Sequence, residues 1–161
     1  MPYVTHPIPP LYDGDSRVLI LGSFPSVKSR EGMFFYHHPQ NRFWKVLAAL
    51  LGEPLPGTVA EKAALLHRHH IALWDVIAAC AITGSQDSSI TGAVPNDLTP
   101  IFETASIQAV FLNGTAAWDQ YRRAGRDWGV PAVKLPSTSP ANAAWTLPKL
   151  LDAWAAILPY L

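Results

Sequence analysis

Short apolar runs are the first regular feature of this chain. Four of them show no alternation with polar residues, and each is bounded by turn-forming positions. Runs of that kind are typical of strands that are buried on both faces of a parallel sheet. They occupy positions 18–21, 71–74, 109–112 and 132–135. We therefore predict a central sheet of four parallel strands.

Segments with apolar residues at helical spacing lie between and after these runs. The predicted helices span positions 41–51, 60–67, 115–124 and 143–158, and Pro148 falls in the first turns of the last one, where a missing N–H is tolerated. Strands that alternate with helices require right-handed crossovers and helices on both faces of the sheet. The predicted fold class is α/β, a three-layer α/β/α sandwich, and 161 residues suit one domain over positions 1–161.

This architecture indicates where chemistry belongs. In an open parallel sheet, ligands bind beyond the carboxyl ends of the strands. We therefore expect functional residues in the loops after the first, third and fourth strands, and in the polar loop at positions 83–92. The proline-rich start, at positions 2–10, is predicted to be a surface segment.

Composition narrows the class of protein. Hydrophobic residues make up 49% of the sequence and charged residues 15%, which excludes a disordered chain. The single cysteine, Cys80, excludes an internal disulfide and lies in an apolar run, so we expect a buried thiol rather than a nucleophile. The sequence has neither a secretory leader pattern nor a window apolar enough to span a membrane. We expect a cytoplasmic protein without membrane contact.

The overall charge does not indicate a nucleic-acid partner, because the formal net charge is +0. Four basic residues nevertheless fall near the loops that are expected to carry chemistry. They are Lys28, Arg30, Arg42 and Lys45. Their side chains would form either a rim for DNA phosphates or an ordinary solvated face.

The first strand is followed by a glycine- and proline-containing turn. Its residues are Gly22, Ser23, Phe24, Pro25 and Ser26. Such a turn presents backbone N–H groups at the end of the strand. An ordinary strand-to-loop turn would have the same sequence features, so this segment alone does not indicate a function.

The segment at positions 34–44 combines aromatic rings with histidines, an amide and an arginine directly before a helix. Flat rings can stack on a nucleobase, and Asn41 would either cap the following helix or hold a water molecule. His37 and His38 are adjacent and point apart, and no further ligand with zinc-like spacing follows them. We therefore expect no bound metal.

Two further polar segments follow the third and fourth strands. Asn113 ends the third strand, and its donor and acceptor could read a nucleobase edge, although a turn or helix cap is an equal alternative. The loop at positions 135–143 places hydroxyls between prolines at the start of the last helix. Hydroxyls and helix N-terminal N–H groups suit phosphate, while Ser139 or Asn142 could also cap the helix.

These segments together resemble the uracil-DNA glycosylase superfamily, across about positions 18–154. The turn at positions 22–26 is similar to its first motif, which reads Gly-Ile-Asn-Pro-Gly in the mismatch-specific members. The loop at positions 136–140 lies where the superfamily has its DNA-inserting motif, and Asn113 lies where its base-reading asparagine ends a strand. The segments at 35–41 and 135–142 most resemble the hypoxanthine-DNA glycosylase branch.

The chain also departs from these patterns. Phe24 stands where the mismatch-specific members have a catalytic asparagine, so their mechanism cannot be copied. The hypoxanthine branch uses the asparagine of a His-Pro-x-Asn segment, which corresponds to Asn41. That segment usually reads Tyr-Tyr-Ala-His-Pro-Arg-Asn, so Phe35, His37 and Gln40 are substitutions, and the loss of a basic residue at Gln40 weakens the expected affinity for DNA.

The resemblance implies a uracil-DNA glycosylase-like fold and a monomeric DNA glycosylase without a cofactor. Its partner would be double-stranded DNA that carries a deaminated base, hypoxanthine first and uracil second. The enzyme would flip the damaged nucleotide out of the duplex and hydrolyse its N-glycosidic bond in base excision repair. Asp75, after the second strand, is expected to be structural.

The roles of the site residues follow from the same resemblance together with their chemistry. Asn113 would bond the base and stabilise its developing charge, and Asn41 would position the attacking water. The implied base-binding residues are Gly22, Ser23, Phe24, Phe35, Tyr36, His38 and Asn113. The implied DNA-binding residues are Ser137, Thr138, Ser139, Pro140, Ala141, Asn142 and Arg42.

Two other classes of protein remain open at this point. A module of the same fold could bind a nucleotide or damaged base without breaking a bond, which Phe24 and the neutral net charge would permit. A hydrolase with Ser23 or Ser139 as nucleophile is the other alternative. The sequence disfavours it, because neither serine lies in a Gly-x-Ser-x-Gly elbow.

Overall fold

A computed structural model describes residues 2–161 and contains the predicted parallel sheet. The strands are β1 (Tyr3–Thr5), β2 (Val18–Gly22), β3 (Ile71–Asp75), β4 (Ile77–Ala81), β5 (Thr91–Pro95), β6 (Ala109–Asn113) and β7 (Ala132–Leu135). Four of these strands, in the order β3-β2-β6-β7, form a sheet in which every neighbouring pair is parallel. The four apolar runs are therefore confirmed as strands.

Strand β2 shows why these runs do not alternate with polar residues. Val18 and Ile20 point into a core on one face of the sheet, and Leu19 and Leu21 point into a second core on the other face. All four side chains are fully buried. Burying a side chain of this size contributes about 1.5–3 kcal/mol, so a strand covered on both faces is apolar at every position.

Helices cover both faces of the sheet. They are α1 (Val27–Gly32), α2 (Phe43–Leu51), α3 (Val59–Arg68), α4 (Thr99–Thr104), α5 (Thr115–Ala124) and α6 (Leu147–Trp154). Helices α2, α3 and α6 contribute to the first core, and helices α4 and α5 to the second. The α/β fold class is confirmed. Among residues 2–161, no helix is both long enough and apolar enough to cross a membrane.

The last helix is shorter than predicted. Helix α6 begins after its N-cap Thr146, whose side chain accepts a hydrogen bond from the backbone N–H of Lys149, and Pro148 lies in its first turn. A 3-10 helix, Ala155–Tyr160, continues from its end and contains Pro159. Positions 143–146 belong to the preceding loop, and Thr146, rather than Ser139 or Asn142, caps the helix.

A second, antiparallel sheet was not predicted. It has the order β1-β4-β5, so part of the proline-rich start forms an edge strand. Strand β4 follows β3 after Val76 alone and pairs with β5 through an irregular register. Its Cys80 is fully buried, and burial raises the pKa of that thiol, which confirms the expectation of a buried thiol.

Candidate active site

The candidate residues gather at the carboxyl edge of the parallel sheet. Ser23 and Phe24 follow β2, Asp75 ends β3, Asn113 ends β6, and the loop at 136–146 follows β7. Because these strands are parallel and in register, their carboxyl ends lie side by side. The loop before α2 brings Asn41 to the same place.

Thr138 joins the two predicted catalytic carboxamides. Its hydroxyl donates a hydrogen bond to Asn41 Oδ1 over 2.9 Å and accepts one from Asn113 Nδ2 over 3.0 Å. Its backbone N–H donates to Asn113 Oδ1 over 3.0 Å. Asn41 and Asn113 are each half-buried, whereas Thr138 is fully buried. The predicted pair therefore meets in one network and keeps some exposure to solvent.

Asn41 also holds the start of helix α2. Its Oδ1 accepts a second hydrogen bond, from the backbone N–H of Phe43, over 2.9 Å. His38 shapes the turn that presents Asn41, because its carbonyl accepts from Asn41 N–H and its Nδ1 accepts from Gln40 N–H. The capping role and the catalytic role that the sequence allowed for Asn41 are thus compatible.

Tyr36 places a neutral hydroxyl beside this network. Its ring stacks on Phe43, with the ring centroids 4.1 Å apart, and its hydroxyl is buried without a hydrogen-bond partner in residues 2–161. A Cβ on Gly22 would lie 3.0 Å from that hydroxyl and 2.4 Å from Asp75 Oδ1, so only glycine fits there. Burial, helped by the charge of Asp75, raises the pKa of Tyr36 far above its ordinary value.

His6 and Asp75 form a buried pair behind Gly22. The two side chains are 3% and 5% exposed, and Asp75 Oδ2 lies 2.7 Å from His6 Nε2. The backbone N–H of Ile8 donates to His6 Nδ1, which places the proton of the neutral ring on Nε2, where it donates to Asp75. Within residues 2–161, no group of three or more His, Cys, Asp or Glu side chains is placed to hold a metal ion.

The polar loop at positions 83–92 is fastened to the turn after β2. Ser23 Oγ donates to Asp87 Oδ1 over 2.7 Å, and Arg30 reaches the carbonyls of Pro25 and Gly84. The protein packed around Asp87 raises the pKa of its carboxyl, the charge of Asp75 acts in the same direction, and the bond from Ser23 opposes both. The loop was predicted to carry function, but Asp87 was not singled out.

The aromatic prediction needs one correction. Phe35 is 2% exposed and packs in the first core against Phe34, so its ring does not face a base. Phe24 is 7% exposed, with the edge of His6 against its ring and the guanidinium of Arg30 over it. Tyr36, which is half-buried, is the remaining aromatic candidate for stacking.

The predicted DNA-binding loop also needs correction at Thr138 and Arg42. Thr138 is 0% exposed and cannot contact a phosphate. The guanidinium of Arg42 donates to three backbone carbonyls of the same loop, those of Ser139, Asn142 and Trp145. Arg42 therefore fastens this loop to the start of α2 through three of its five N–H donors, while its Nε is buried without a partner among residues 2–161.

The outer part of the loop forms a compact hydrogen-bonded turn. Ser137 accepts from Ser139 N–H, Ser139 accepts from Ala141 N–H, and Asn142 Nδ2 donates to the carbonyl of Ser137. These bonds close a compact turn in which the three polar residues are half-buried. Pro140 and Ala141 are exposed at its tip. The tip is the part of this loop that could enter a gap in a base stack.

Two of the four predicted rim cations make no hydrogen bond to a backbone carbonyl among the described residues. Arg30 and Arg42 donate to carbonyls, as described above, whereas Lys45 is exposed and the side chain of Lys28 is 58% exposed. Lys28 lies 3.9 Å from Glu31, an exposed pair that contributes little. The basic rim is therefore weaker than the sequence suggested.

One cavity lies away from these residues. It has about 530 Å³ and includes Arg17, His70 and Gln108, which precede β2, β3 and β6. It is therefore at the amino edge of the sheet, opposite the edge at which parallel sheets bind ligands. A smaller cavity of about 240 Å³ lies beside α5. The two carboxamides line neither of these cavities, so the candidate site is defined by the contacts of its side chains.

The sequence did not reveal the parts of the site that connect its members. A loop between prolines gives no indication of which residues are buried, so the sequence predicts an exposed hydroxyl at Thr138, which the structure buries. His6 lies in the proline-rich start, and only its pairing with Asp75 across 69 positions brings it to the site. The placement of Asp75 at the end of a predicted strand was the one available signal for that pair.

Comparisons with known proteins identify the family and the fold of this chain. The family model described as the Uracil DNA glycosylase superfamily matches residues 9–161. A protein of Methanosarcina acetivorans named hypoxanthine DNA glycosylase is 35% identical over 83% of this chain and 85% of its own length. A protein of Methanosarcina barkeri with the same name is 32% identical over 91% of this chain and 93% of its own length. The solution structure of a candidate uracil DNA glycosylase from M. acetivorans matches with a TM-score of 0.80 and 29% identity, over 96% of this chain and 98% of that one.

Proposed function

Because this chain belongs to the Uracil DNA glycosylase superfamily, we propose that it hydrolyses the N-glycosidic bond of a deaminated base in double-stranded DNA. Hypoxanthine is the first substrate in this proposal and uracil the second, since two similar proteins are named hypoxanthine DNA glycosylase. The observation that carries the proposal is the meeting of Asn41 and Asn113 on Thr138 at the carboxyl edge of the sheet.

The substrate enters as a flipped nucleotide. Unstacking costs a few kcal/mol and is least costly for a mispaired base, which favours deaminated bases over normal pairs. The exposed tip at Pro140 and Ala141 fills the gap that the flipped nucleotide leaves. The half-buried ring of Tyr36 provides the stacking surface, since Phe35 is in the core.

Asn113 stabilises the departing base. Its Oδ1 and one N–H are engaged by Thr138, and the second hydrogen of Nδ2, which lies near the Tyr36 hydroxyl, can donate to an acceptor on the base. As the glycosidic bond breaks, its electron pair moves onto the base, and a donor held in a partly dehydrated site stabilises that charge. Removal of one donor of this kind typically slows a reaction by about 10²–10³-fold.

Asn41 orients the water. Its Oδ1 already accepts two hydrogen bonds, so only its amino group is available, and it donates to the oxygen of the water. The water oxygen bonds to the anomeric carbon of the deoxyribose as the base leaves, and the released proton neutralises the base. A well-stabilised leaving base needs only a positioned water, and therefore no carboxylate is assigned to this step.

We also propose a monofunctional monomer. Cleavage of the DNA strand after base removal would need an amine nucleophile. No lysine takes part in the described hydrogen-bond network of Asn41, Asn113 and Thr138 within residues 2–161. Borohydride added during turnover should therefore trap no covalent complex with DNA, whereas a trapped complex would show a second activity.

Labelled duplexes test the main proposal. Oligonucleotides with a single deoxyinosine or deoxyuridine are incubated with the protein, treated with alkali and separated on a denaturing gel. We expect a strand break at the deoxyinosine and a weaker one at the deoxyuridine. The absence of alkali-dependent breaks with either duplex would defeat the proposal.

One observation favours a second candidate, a module that binds damaged bases without cleaving them. Asn41 Oδ1, the oxygen beside the proposed water, already accepts two hydrogen bonds from the protein and so cannot accept a hydrogen bond from that water. Tight binding to the deoxyinosine duplex in the gel assay, without alkali-dependent breaks, would identify this function.

A further inference from the structure

We infer that Thr138 is a positioning residue that fixes which end of each catalytic carboxamide faces the base, and so helps the site to distinguish deaminated bases from their parents. The inference rests on the proposed function and deepens it. It was not expected from the sequence, in which Thr138 was a phosphate contact. The inference is based on the three hydrogen bonds in which the fully buried Thr138 takes part, two as donor and one as acceptor.

The orientation of Asn113 is set by the backbone of Thr138. The N–H of Thr138 can only donate, so the atom 3.0 Å away must be the carboxamide oxygen, Oδ1. The amino group of Asn113 then faces the Thr138 hydroxyl and donates to it over 3.0 Å. Rotation of the carboxamide by 180° would place its amino group against the backbone N–H, with two donors in contact and no acceptor between them.

The orientation of Asn41 follows in turn. Once the Thr138 hydroxyl has accepted from Asn113, its single hydrogen is directed to Asn41 Oδ1 at 2.9 Å. The backbone N–H of Phe43 donates to the same oxygen. A reversed Asn41 would place its amino group against the Phe43 N–H, which can only donate, and would leave the hydrogen of the Thr138 hydroxyl without its acceptor. Leaving buried polar groups unpaired costs about 1–3 kcal/mol for each, so both reversed states are disfavoured.

The consequence is that each carboxamide presents its amino group to the substrate in a fixed direction. Asn41 Oδ1 accepts from Thr138 and Phe43, Asn113 Oδ1 accepts from the Thr138 backbone and keeps one lone pair, and the remaining hydrogens of Asn41 and Asn113 can donate to the base. Deamination changes an amino donor on adenine or cytosine into a carbonyl acceptor. Fixed donors therefore suit the deaminated base and oppose the parent base, whose amino group would meet another donor.

Water cannot replace the Thr138 hydroxyl. Because Thr138 is 0% exposed, the loss of its hydroxyl would leave the two carboxamides without a common partner, and each would then be held by one backbone N–H alone, that of residue 138 for Asn113 and that of Phe43 for Asn41. A displacement of about 1 Å in a positioning group can cost about 10²-fold in rate. We therefore expect Thr138→Val to lower the single-turnover rate on deoxyinosine duplex about 100-fold and to change the affinity for that duplex less than threefold.

Thr138→Ser separates positioning from packing. It keeps the hydroxyl and removes only the methyl group, so its rate should stay within threefold of the wild type. Thr58→Val is the matched control, because the Thr58 hydroxyl caps α3 by accepting from Glu61 N–H and is outside the network. It should lose stability but keep the wild-type rate. If T138V does not fold, Thr138→Ala removes the same hydroxyl in a smaller side chain.

Base selectivity provides a second readout. Inhibition of the wild type by free hypoxanthine should exceed inhibition by free adenine, and in T138V the ratio of the two inhibition constants should fall at least tenfold toward equality. A T138V rate within threefold of the wild type would overturn the inference. A T138S rate as low as that of T138V would also overturn it, because the loss would then come from the methyl group.

The failure of this inference can be distinguished from failure of the proposed function. A wild type that cleaves neither duplex defeats the proposed function. The inference is then decided by nitrogen-labelled NMR spectra without DNA, in which the side-chain NH₂ signals of Asn41 and Asn113 should move in T138V and stay near their wild-type positions in T138S. Unchanged signals in T138V would overturn it.

Discussion

In the proposed mechanism, Asn41 has two tasks, one at each end of its side chain. Its oxygen holds the start of α2 and the Thr138 hydroxyl, and its amino group is left for the reaction. We predict that Asn41→Ala lowers the cleavage rate at least about 100-fold, as is typical when a single positioned donor is lost. Binding to the deoxyinosine duplex, measured by fluorescence anisotropy, should change less than threefold.

Asn41→Asp is the matched control for that prediction. Aspartate keeps acceptors for Phe43 and Thr138, so α2 and the loop should stay in place, but it lacks the amino group. It should be as slow as N41A and more stable. A wild-type rate in N41D would show that the amino group does not act on water. Equal losses of binding and cleavage in N41A would show that Asn41 serves binding instead.

The free energy of unfolding should depend on pH through the carboxyl of Asp87. Its pKa is raised in the folded protein, chiefly by burial, so the folded state holds the proton more strongly than the unfolded state, whose pKa is about 3.9. Its stabilising effect is present below that value and is lost as pH rises through the folded pKa. Asp87→Asn, which can still accept from Ser23, should therefore gain stability relative to the wild type as the pH rises above about 4.

Urea unfolding at a series of pH values measures this gain. The protein packed around the Asp87 carboxyl raises its pKa, but the residue as a whole is exposed, so water screens its charge. The difference should therefore stay below about 1 kcal/mol at neutral pH and vanish near pH 3. Asp15→Asn, at an exposed position, is a suitable reference. A variant D87N that loses stability as pH rises would contradict the assigned direction.

At the scale of single residues, the sequence could predict the two carboxamides but not their connection. Asn113 ends an apolar strand and Asn41 precedes an amphipathic helix, and both features are local. Thr138, Phe35 and Arg42 were misjudged because their burial and partners depend on contacts across the fold: Arg42 bonds residues about 100 positions away. No local pattern reports such contacts.

At the scale of elements, the loop between β7 and α6 depends on Arg42. Planar guanidinium groups can donate to several carbonyls at once, which lysine cannot reproduce. We predict that Arg42→Lys loosens the loop almost as much as Arg42→Ala, with faster amide hydrogen exchange at 139–145 and a loss of about 2 kcal/mol in unfolding free energy. If Arg42 instead served DNA through its charge, R42K would keep both loop protection and DNA affinity.

The parallel sheet was predictable, whereas the antiparallel sheet was not. The four parallel strands are buried on both faces, so their sequences are continuously apolar and easily recognised. Strand β5 contains Gly92 and ends at Pro95, and β1 is three residues long beside prolines. Such short edge strands lack the alternation on which prediction relies, and their pairing with β4 is set by tertiary contacts.

At the scale of the whole molecule, the neutral net charge limits how DNA is held. Two of the four predicted rim cations donate to carbonyls, and the two lysines remain. If two to four phosphates are neutralised, the logarithm of the binding constant should fall with the logarithm of salt concentration with a slope of roughly −2 to −4. Anisotropy titrations at several salt concentrations measure it. A slope steeper than about −6 would require a basic surface beyond these residues.

Release of the free base tests the whole account most directly. Duplexes that differ only in deoxyinosine or deoxyadenosine at one position are incubated with the protein, and the liberated bases are measured by mass spectrometry. The fixed donors of Asn41 and Asn113 predict hypoxanthine from the first duplex, no adenine from the second, and a release about 100-fold slower or more in Asn113→Ala. Release of neither base by the wild type, or equal release of both, would contradict it.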